Sequence, residues 1–415
     1  MINSNFVQKK ITILCWLVIL MGFVSINRLD QYTSWIISFA FYYFCVTLKL
    51  PNNKSEDKLL LIYLIYLLFE IIRGAIIADG YWEYKNLVTG TLALSMPTML
   101  LIFKNPTICK SILQKWIKIG LPLYILALIL GLDLGASHYY LGFILVWGCF
   151  IPIIPSKKYK IIFLVLLLIM LIGAIDNRSQ AIKAAFALTL SFFLQFKFFF
   201  KKWILKILFL LFFMLPPLLL YYGITGKYNF FEEGLNPIIE LIGISEKDSD
   251  SAQADTRTFI YVDVINSSIQ GDYIILGNSP ARGNRSSVYD LNIIDSSLDV
   301  TKKGERHYNE VCHPNVYTWM GIIGLLLYSL FYLRASFKSI FNGKNIYIQI
   351  LGCFVAFKWL FGWIEDTNLF NLQNISIWMA IAICSSPQFI NMNNKEFKNW
   401  FRSIFPYRQY KMKRK

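Results

Sequence analysis

The sequence is poor in charged residues, which make up only 16% of its 415 positions. A soluble domain usually carries about 25% charged residues, so this scarcity excludes an ordinary soluble protein. Hydrophobic residues make up 56% of the chain, and the mean hydropathy is +0.49. The composition predicts an integral membrane protein, and the chain length therefore does not translate into a number of soluble domains.

Paired cysteines and organised acidic clusters are missing as well. The seven cysteines are scattered, and none forms the C-x-x-C spacing of a metal or redox pair. The acidic residues of the longest polar segment lack D-x-D or EF-hand regularity; they are Asp255, Asp263, Glu305 and Glu310. We therefore expect neither a metal nor an organic cofactor.

Long apolar runs are what the sequence has in abundance. A bilayer core of about 30 Å needs roughly 20 apolar residues per helix, and about twelve segments qualify. The predicted spans are 11–27, 33–50, 59–78, 87–103, 117–132, 138–155, 161–175, 180–196, 203–222, 317–333, 346–363 and 370–389. Only helices satisfy so much backbone inside lipid, so the predicted fold is an all-α polytopic membrane protein. The first run lacks a small-residue cleavage site and is interpreted as a retained helix, not a signal peptide.

Basic residues alternate between connections and set the predicted orientation. With the N-terminus in the cytoplasm, the cytoplasmic connections carry most of the lysines and arginines, whereas the short outer ones carry only Arg28, Lys85 and Arg178. This asymmetry predicts cytoplasmic termini, and it explains the net charge of +16 without a nucleic-acid partner. We interpret the basic tail as a topology anchor with some attraction to anionic lipid headgroups.

One connection is far longer than the others and lies on the predicted outer side. A loop of this length is usually functional. The chain accordingly divides into residues 1–222 with spans one to nine, the outer loop 223–316, residues 317–390 with spans ten to twelve, and the basic tail 391–415. Within the loop, residues 255–273 predict a helix that ends at Gly271.

Rare titratable residues gather at the outer ends of the predicted spans. They are His307, His313, Glu70, Arg73, Arg178, Lys183, Lys358, Glu365 and Asp366. Charges at membrane depth are costly and are functional by default, so these residues predict a polar cavity that opens outward beneath the loop. Arginine is abundant there, and its guanidinium binds phosphate through paired hydrogen bonds. The pattern favours an anionic, phosphate-bearing ligand.

The same residues have structural interpretations. Arg178 is also explained as a side chain at a helix end, Arg257 as part of the solvated face of the loop helix, and His313 as a helix-entry residue before a proline. Ordinary ion pairing or helix packing is the favoured interpretation for Lys183, Lys358, the pair Glu70 and Arg73, and the glycines Gly321 and Gly324.

The whole pattern resembles the O-antigen polymerase and O-antigen ligase superfamily of bacterial inner-membrane glycosyltransferases. Its topology, with one large outer loop late in the chain, carries the resemblance over most of the sequence. Three loose motifs carry it over about residues 176–328: "NRSQAIKAAFAL" with Arg178, "TRTFIYVDVINSSIQGDYIILGNSP" with Arg257 and Gly277, and "HPNVYTWMGIIGLLLY" with His313, Asn315, Gly321 and Gly324. Their order and their shared side of the membrane make the set specific. Pro314, between the histidine and the asparagine, departs from the family's pattern.

The resemblance implies a GT-C-like fold and a glycan donor carried on undecaprenyl pyrophosphate, at the periplasmic face of the bacterial inner membrane. His313 or Glu310 is then the catalytic base. The pyrophosphate is bound by Arg178, Arg257, Arg282 and Arg285, and secondary contacts to the glycan come from Arg306, His307, Asn315 and Tyr261. Because pyrophosphate is a good leaving group, the implied reaction requires no metal.

The favoured function is an O-antigen polymerase that joins lipid-linked repeat units, with a chain-length regulator protein as a further partner. The alternative is an O-antigen ligase that transfers the glycan to lipid A-core, since both enzymes share the motif set. A flippase for a lipid-linked sugar belongs to another class. It predicts internal repeats and charges that reach both leaflets, whereas this sequence has no repeat and its charges favour one side.

Overall fold

The fold is helical throughout the part of the chain that the structure describes. The computed structural model describes residues 4–24, 31–48, 58–130, 140–172, 178–196, 201–224, 258–286 and 304–406. Within these ranges the only sheet is a pair of two-residue strands, β1 (Asn284–Arg285) and β2 (Glu305–Arg306), which are antiparallel with Asn284 opposite Arg306.

The helices follow the apolar runs of the sequence. In chain order they are α1 Ser4–Val24, α2 Gln31–Thr47, α3 Lys58–Ile77, α4 Tyr81–Leu94, α5 Leu100–Phe103, α6 Pro106–Lys115, α7 Leu121–Ile129, α8 Gly142–Trp147, α9 Lys157–Ile172, α10 Arg178–Gln195, α11 Lys202–Ile224, α12 Thr258–Gln270, α13 Cys312–Asn342, α14 Ile346–Phe361, α15 Leu372–Ser385, α16 Pro387–Ile390 and α17 Asn394–Arg402. Short 3₁₀ turns join α4 to α5 and follow α8, and a π turn joins α6 to α7.

All twelve predicted spans coincide with helix in the described ranges. Among the described residues, five helical runs are long and apolar enough to cross a membrane; they are Lys58–Ile77, Tyr81–Phe103, Pro106–Ile129, Lys202–Tyr222 and Cys312–Asn342. The prediction of an all-α membrane protein agrees with this architecture, while the number of spans and the orientation of the termini stay predictions. The segment 138–155 is the most irregular of the twelve, because Pro152 interrupts it within a 3₁₀ turn.

Helix α3 has one exposed apolar face and one face buried in the bundle, as expected for a helix at the lipid boundary. Leu61, Ile65, Leu68 and Ile72 are exposed along one face, at the three-to-four-residue spacing of a helical stripe. Tyr63 and Leu67, on the opposite face, are buried against the bundle. The central helix is α14, which packs against α13, α11 and α15. Most of its residues are apolar and buried, and Lys358 is a buried charged exception.

Helix α13 breaks at Gly321, whose φ of +61° is one that only glycine adopts readily. The segment 274–278 fills the break and satisfies its backbone. The amide of Asn278 donates to the carbonyl of Thr318 (2.6 Å), and the amide of Ile322 donates to the carbonyl of Ile274 (2.9 Å). These bonds replace part of the helical hydrogen bonding that the break interrupts, which matters because lipid cannot satisfy backbone groups.

Helix α3 clamps the inserted segment from the other side. Arg73 donates to the carbonyl oxygens of Gly277 (2.8 Å) and Leu276 (3.0 Å), and its charge is balanced by Glu70 one turn earlier. Glu70 and Arg73 thus form the ion pair that their spacing suggests. Through Arg73 the pair also holds the segment 274–278 against the bundle. Gly321, expected at a helix-packing position, instead forms the hinge that admits the loop.

Part of the segment predicted to be a basic tail is a helix that packs on the bundle. Residues 394–402 form α17, which begins with a capping box between Asn393 and Glu396. Phe397 and Phe401 are buried, and the indole of Trp400 donates to the carbonyl of Pro106 (3.0 Å). The aromatic residues share one face of α17, and this face packs on the bundle. The packing is favourable because it removes apolar area from water.

Replacing Gly321 with alanine tests the importance of the break. A Cβ at this position would lie 2.2 Å from the carbonyl oxygen of Ile275, and the backbone conformation alone costs a non-glycine residue about 1–3 kcal/mol. We expect Gly321→Ala to lower the thermal unfolding temperature of the purified protein in detergent. Gly80→Ala is the control, because no atom lies within 4 Å of a Cβ there. Equal unfolding temperatures for the two variants would contradict the role of the hinge.

Candidate functional site

Helix ends that the sequence assigns to the outer face come together in one place. The start of α13, the end of α14 and the start of α10 meet there, and α12 of the outer loop packs beside them. Helix ends carry unsatisfied backbone groups and partial charges. This junction is the candidate functional site.

His313 lies in the first turn of α13 and is buried against the end of α14. Its Nε2 is 3.0 Å from the carbonyl oxygen of Trp359, and its ring contacts the rings of Trp359 and Trp363 at centroid distances of 5.3 and 4.8 Å. A Cβ on Gly362 would lie 2.8 Å from Nε2, so a glycine is needed for the ring to approach. A carbonyl only accepts hydrogen bonds, so Nε2 donates, and the neutral ring carries its lone pair on Nδ1.

Lys183 joins α10 to the end of α14 through an ion pair. Its Nζ lies 2.6 and 2.8 Å from the two carboxylate oxygens of Glu365, and its side chain is 1% exposed. The same carboxylate accepts from the amide nitrogen of Gln180 (3.0 Å) and the hydroxyl of Ser179 (3.3 Å). Three side chains from the first turns of α10 therefore converge on one carboxylate.

Lys358 lies one turn before the end of α14 and is 2% exposed. Its Nζ lies 5.5 Å from the centroid of the Phe361 ring, and Nζ of Lys183 lies 5.9 Å from the same centroid. Nζ of Lys358 has no hydrogen-bond partner among the described residues. Two lysines, Lys183 from α10 and Lys358 from α14, therefore meet one paired carboxylate at the end of α14.

Several buried polar atoms that lack a partner within the described ranges belong to this same junction. They are Nζ of Lys358, Nδ1 of His313, Oδ2 of Asp366, Oε1 of Gln180, and the indole nitrogens of Trp359 and Trp363. Buried polar groups in folded proteins are nearly always satisfied by protein, water or ligand. Their concentration at one helix end marks the junction as a site for polar ligands.

Asp366 follows the end of α14 in the turn that leads to α15. Its Oδ1 accepts from the amide of Asn368 (2.9 Å). Burial raises the pKa of Asp366 from its ordinary value of 3.8 to about 7, against the opposing effect of backbone hydrogen bonds. The carboxyl group therefore exchanges its proton near neutral pH.

Arg282 is placed in an acidic setting. Its guanidinium binds both carboxylate oxygens of Glu305 (2.6 and 2.7 Å), and Glu83 lies 3.9 Å away. The hydrogen bonds to Glu305 raise the pKa of Arg282 above its usual value. Arg282 precedes β1 and Glu305 lies in β2, so this ion pair links the two chain segments that carry the strands.

The other basic residues of the loop are divided between surface and interior. The side chain of Arg285 is exposed. Arg306 is buried, donates to the carbonyl of Tyr308 (3.1 Å) and lies 3.9 Å from Glu310, which is more than half exposed. Glu310 thus lies at the surface of the loop, whereas His313 lies inside the junction.

His307 and Asn315 hold the loop together. The Nε2 of His307 is 2.9 Å from the carbonyl oxygen of Pro280, and its ring stacks on Trp319. The side-chain amide of Asn315 binds the backbone of Asn309 in both directions, at 2.7 and 2.8 Å. These contacts align the approach to α13.

Tyr261, on α12, reaches the junction directly. Its hydroxyl donates to the carbonyl of Trp363 (2.6 Å), and its ring stacks on that indole at 5.9 Å. Of the two predicted pyrophosphate residues that remain, Arg257 lies outside the described residues. Arg178 begins α10, one residue before Ser179, and its side chain is likewise not described.

The residues that sequence reasoning undervalued are Lys183, Lys358, Glu365 and Asp366. Their charges at the predicted membrane depth indicated a functional role. The same charges also fit ordinary structural ion pairs, so the sequence did not separate the two interpretations. The structure brings all four to one helix end. No group of three His, Cys, Asp or Glu side chains suited to a metal occurs in the part of the chain that the structure covers.

No protein-family model matches this chain, and neither the curated proteins nor the solved structures include a significant match to it.

Disrupting the Arg282–Glu305 pair should loosen the loop. Removing one partner of a largely buried pair leaves the other charge uncompensated, so we expect Arg282→Gln to lower the free energy of unfolding by about 2–4 kcal/mol. Arg285→Gln is the matched control, and an exposed substitution should stay within about 0.5 kcal/mol. Unfolding in detergent measures both. A loss no larger than that of the control would show that the pair does not stabilise the loop.

Asp366 should make stability depend on pH. Its pKa is raised on folding, so the folded state binds the proton more tightly, and stability falls as the pH rises from about 4 through about 7. Between pH 5 and 8 we expect a loss of roughly 3 kcal/mol. Asp366→Asn should flatten that part of the profile of unfolding temperature against pH. An unchanged profile in the variant would assign the dependence to another group.

Proposed function

We propose that the protein is a glycosyltransferase that joins oligosaccharide repeat units carried on undecaprenyl pyrophosphate, at the outer face of a bacterial inner membrane. The proposed product is a surface polysaccharide of the O-antigen type. The membrane-protein architecture and the resemblance of the motifs support this proposal.

The observation that carries the proposal is the setting of His313. The Trp359 carbonyl accepts from Nε2, which leaves Nδ1 as the basic nitrogen of the neutral ring. Nδ1 has no partner among the described residues. A histidine with a fixed tautomer and an available lone pair has the geometry of a general base.

In the proposed reaction, the hydroxyl of an acceptor sugar attacks the anomeric carbon of the donor glycan. A new carbon–oxygen bond forms, and the bond from the anomeric carbon to the pyrophosphate oxygen breaks. The electron pair leaves with undecaprenyl pyrophosphate, and the proton of the acceptor hydroxyl passes to Nδ1 of His313. Positive charge near the leaving group stabilises the transition state, and Arg178 and Arg257 are the residues that we assign to that role.

The other predicted residues have roles that follow from their contacts. Arg282 is engaged with Glu305, so we assign it to shaping the loop over the site. Arg285 and Glu310 lie at the loop surface, where they are available to the glycan chain. Tyr261 links α12 to the end of α14 and positions the loop helix beside His313.

The identity of the acceptor distinguishes the proposed polymerase from its alternatives. In a strain that lacks the gene, surface polysaccharide on a gel should show core with a single repeat unit. Bare core, with polymerised glycan retained on its lipid carrier, would instead indicate a ligase. Lipid-linked units trapped in the inner leaflet would indicate a flippase.

The catalytic assignment predicts a specific loss in His313→Gln. The glutamine amide can still donate to the Trp359 carbonyl but has no basic nitrogen, so the protein should insert and fold while polymer formation falls at least about 100-fold. Lys344→Gln is the control, because Lys344 is exposed just before the start of α14 and has no assigned role, and it should retain polymer. Gel analysis of complemented cells, with the folded protein quantified by size-exclusion chromatography, measures both. Abundant polymer from folded His313→Gln would overturn the assignment.

A further inference from the structure

The start of α10 has the composition of an anion-binding site. The helix has 18 residues and begins at Arg178, and the first amides of a helix attract negative charge. The side chains of Ser179, Gln180 and Lys183 all donate to the carboxylate of Glu365. Glu365 therefore occupies, from within the chain, the position in which these donors would bind an external anion.

Lys358 supplies a second, independent observation. It is 2% exposed, its Nζ has no hydrogen-bond partner among the described residues, and it lies against the same Phe361 ring as Lys183. A buried ammonium group is unfavourable when it lacks a hydrogen-bond acceptor. A bound anion would supply that acceptor.

We propose that Lys358, Lys183 and the start of α10 form an internal binding site for a phosphate group, with Glu365 as the internal competitor that the phosphate displaces. A phosphate has several oxygens that accept hydrogen bonds at once, and lysine binds it as a point charge. The hydroxyl and amide donors of Ser179 and Gln180 would bind its remaining oxygens. The site itself rests on geometry; only its assignment to a lipid-linked diphosphate rests on the proposed function.

Ligand-induced thermal stabilisation of the full chain in detergent tests the site. The probes are inorganic pyrophosphate and farnesyl diphosphate, with farnesol as the probe that has the same tail and no phosphate, all at matched ionic strength. Binding to the folded state raises the unfolding temperature with ligand concentration. A shift with both diphosphates supports a site that takes a free phosphate group, and a shift with farnesyl diphosphate alone supports one reached from the membrane.

The variants assign the effect to the site. Lys358→Met keeps the length of the side chain and removes its charge, so it should fold and bind farnesyl diphosphate at least ten-fold more weakly. Lys344→Met is the matched control, because Lys344 is exposed just before the start of α14, and its binding should equal that of the unchanged protein. No shift with either diphosphate, an equal shift with farnesol, or full binding by Lys358→Met would each overturn the proposal.

Glu365→Gln separates binding from a purely structural ion pair. With the competing carboxylate neutralised, the protein alone should be less stable, and farnesyl diphosphate should bind several-fold more tightly. A structural pair would give the loss of stability without tighter binding, which contradicts the proposal. The readout is independent of sugar transfer: binding without polymer formation in cells would reject the proposed function and keep the site, and polymer formation without binding would do the reverse.

Discussion

The ion pair between Lys183 and Glu365 fixes the end of α14, and every contact of the candidate site depends on where that end lies. It joins residues 182 positions apart in a setting where two separated charges would be costly. Once α14 ends at this point, the carbonyl of Trp359 meets His313 and the carbonyl of Trp363 meets Tyr261. The pair thus ties α10 to the helix end that His313 and Tyr261 also contact.

The break at Gly321 solves a second problem, which is how a loop of polar backbone enters a helical bundle. The inserted segment 274–278 exchanges hydrogen bonds with the two halves of α13, and Arg73 binds its carbonyl groups from α3. The loop is therefore part of the bundle's hydrogen bonding. Helix α12 immediately precedes this segment in the chain and lies beside the end of α14.

The helices could be predicted from the sequence because bilayer thickness fixes the length of an apolar run, and each predicted run is helical where it is described. The hinge could not, because the spacing of Gly321 and Gly324 is also that of ordinary helix packing. Arg282 shows the limit for site residues: an arginine in a turn-rich segment suggests a phosphate ligand, and nothing in the local sequence points to Glu305 as its partner. Lys183, Lys358 and Glu365 appear in the sequence only as separate charges. Their convergence at the end of α14 depends on tertiary structure and could not be predicted. The prediction for His313 rests on its position at the start of a span, which the sequence shows directly.

Under the proposed function, the arrangement on α14 explains how two opposite electrostatic tasks can be performed a short distance apart. Lys358 acts through its side chain, which would present an ammonium group to an anion. Trp359 acts through its backbone carbonyl, which holds a neutral imidazole. A base placed among the lysines would have its protonated form disfavoured by like charge. The helix backbone and the rings of Phe361, Trp359 and Trp363 separate the two tasks, so that a leaving anion and an accepted proton are stabilised by different groups of one rigid element.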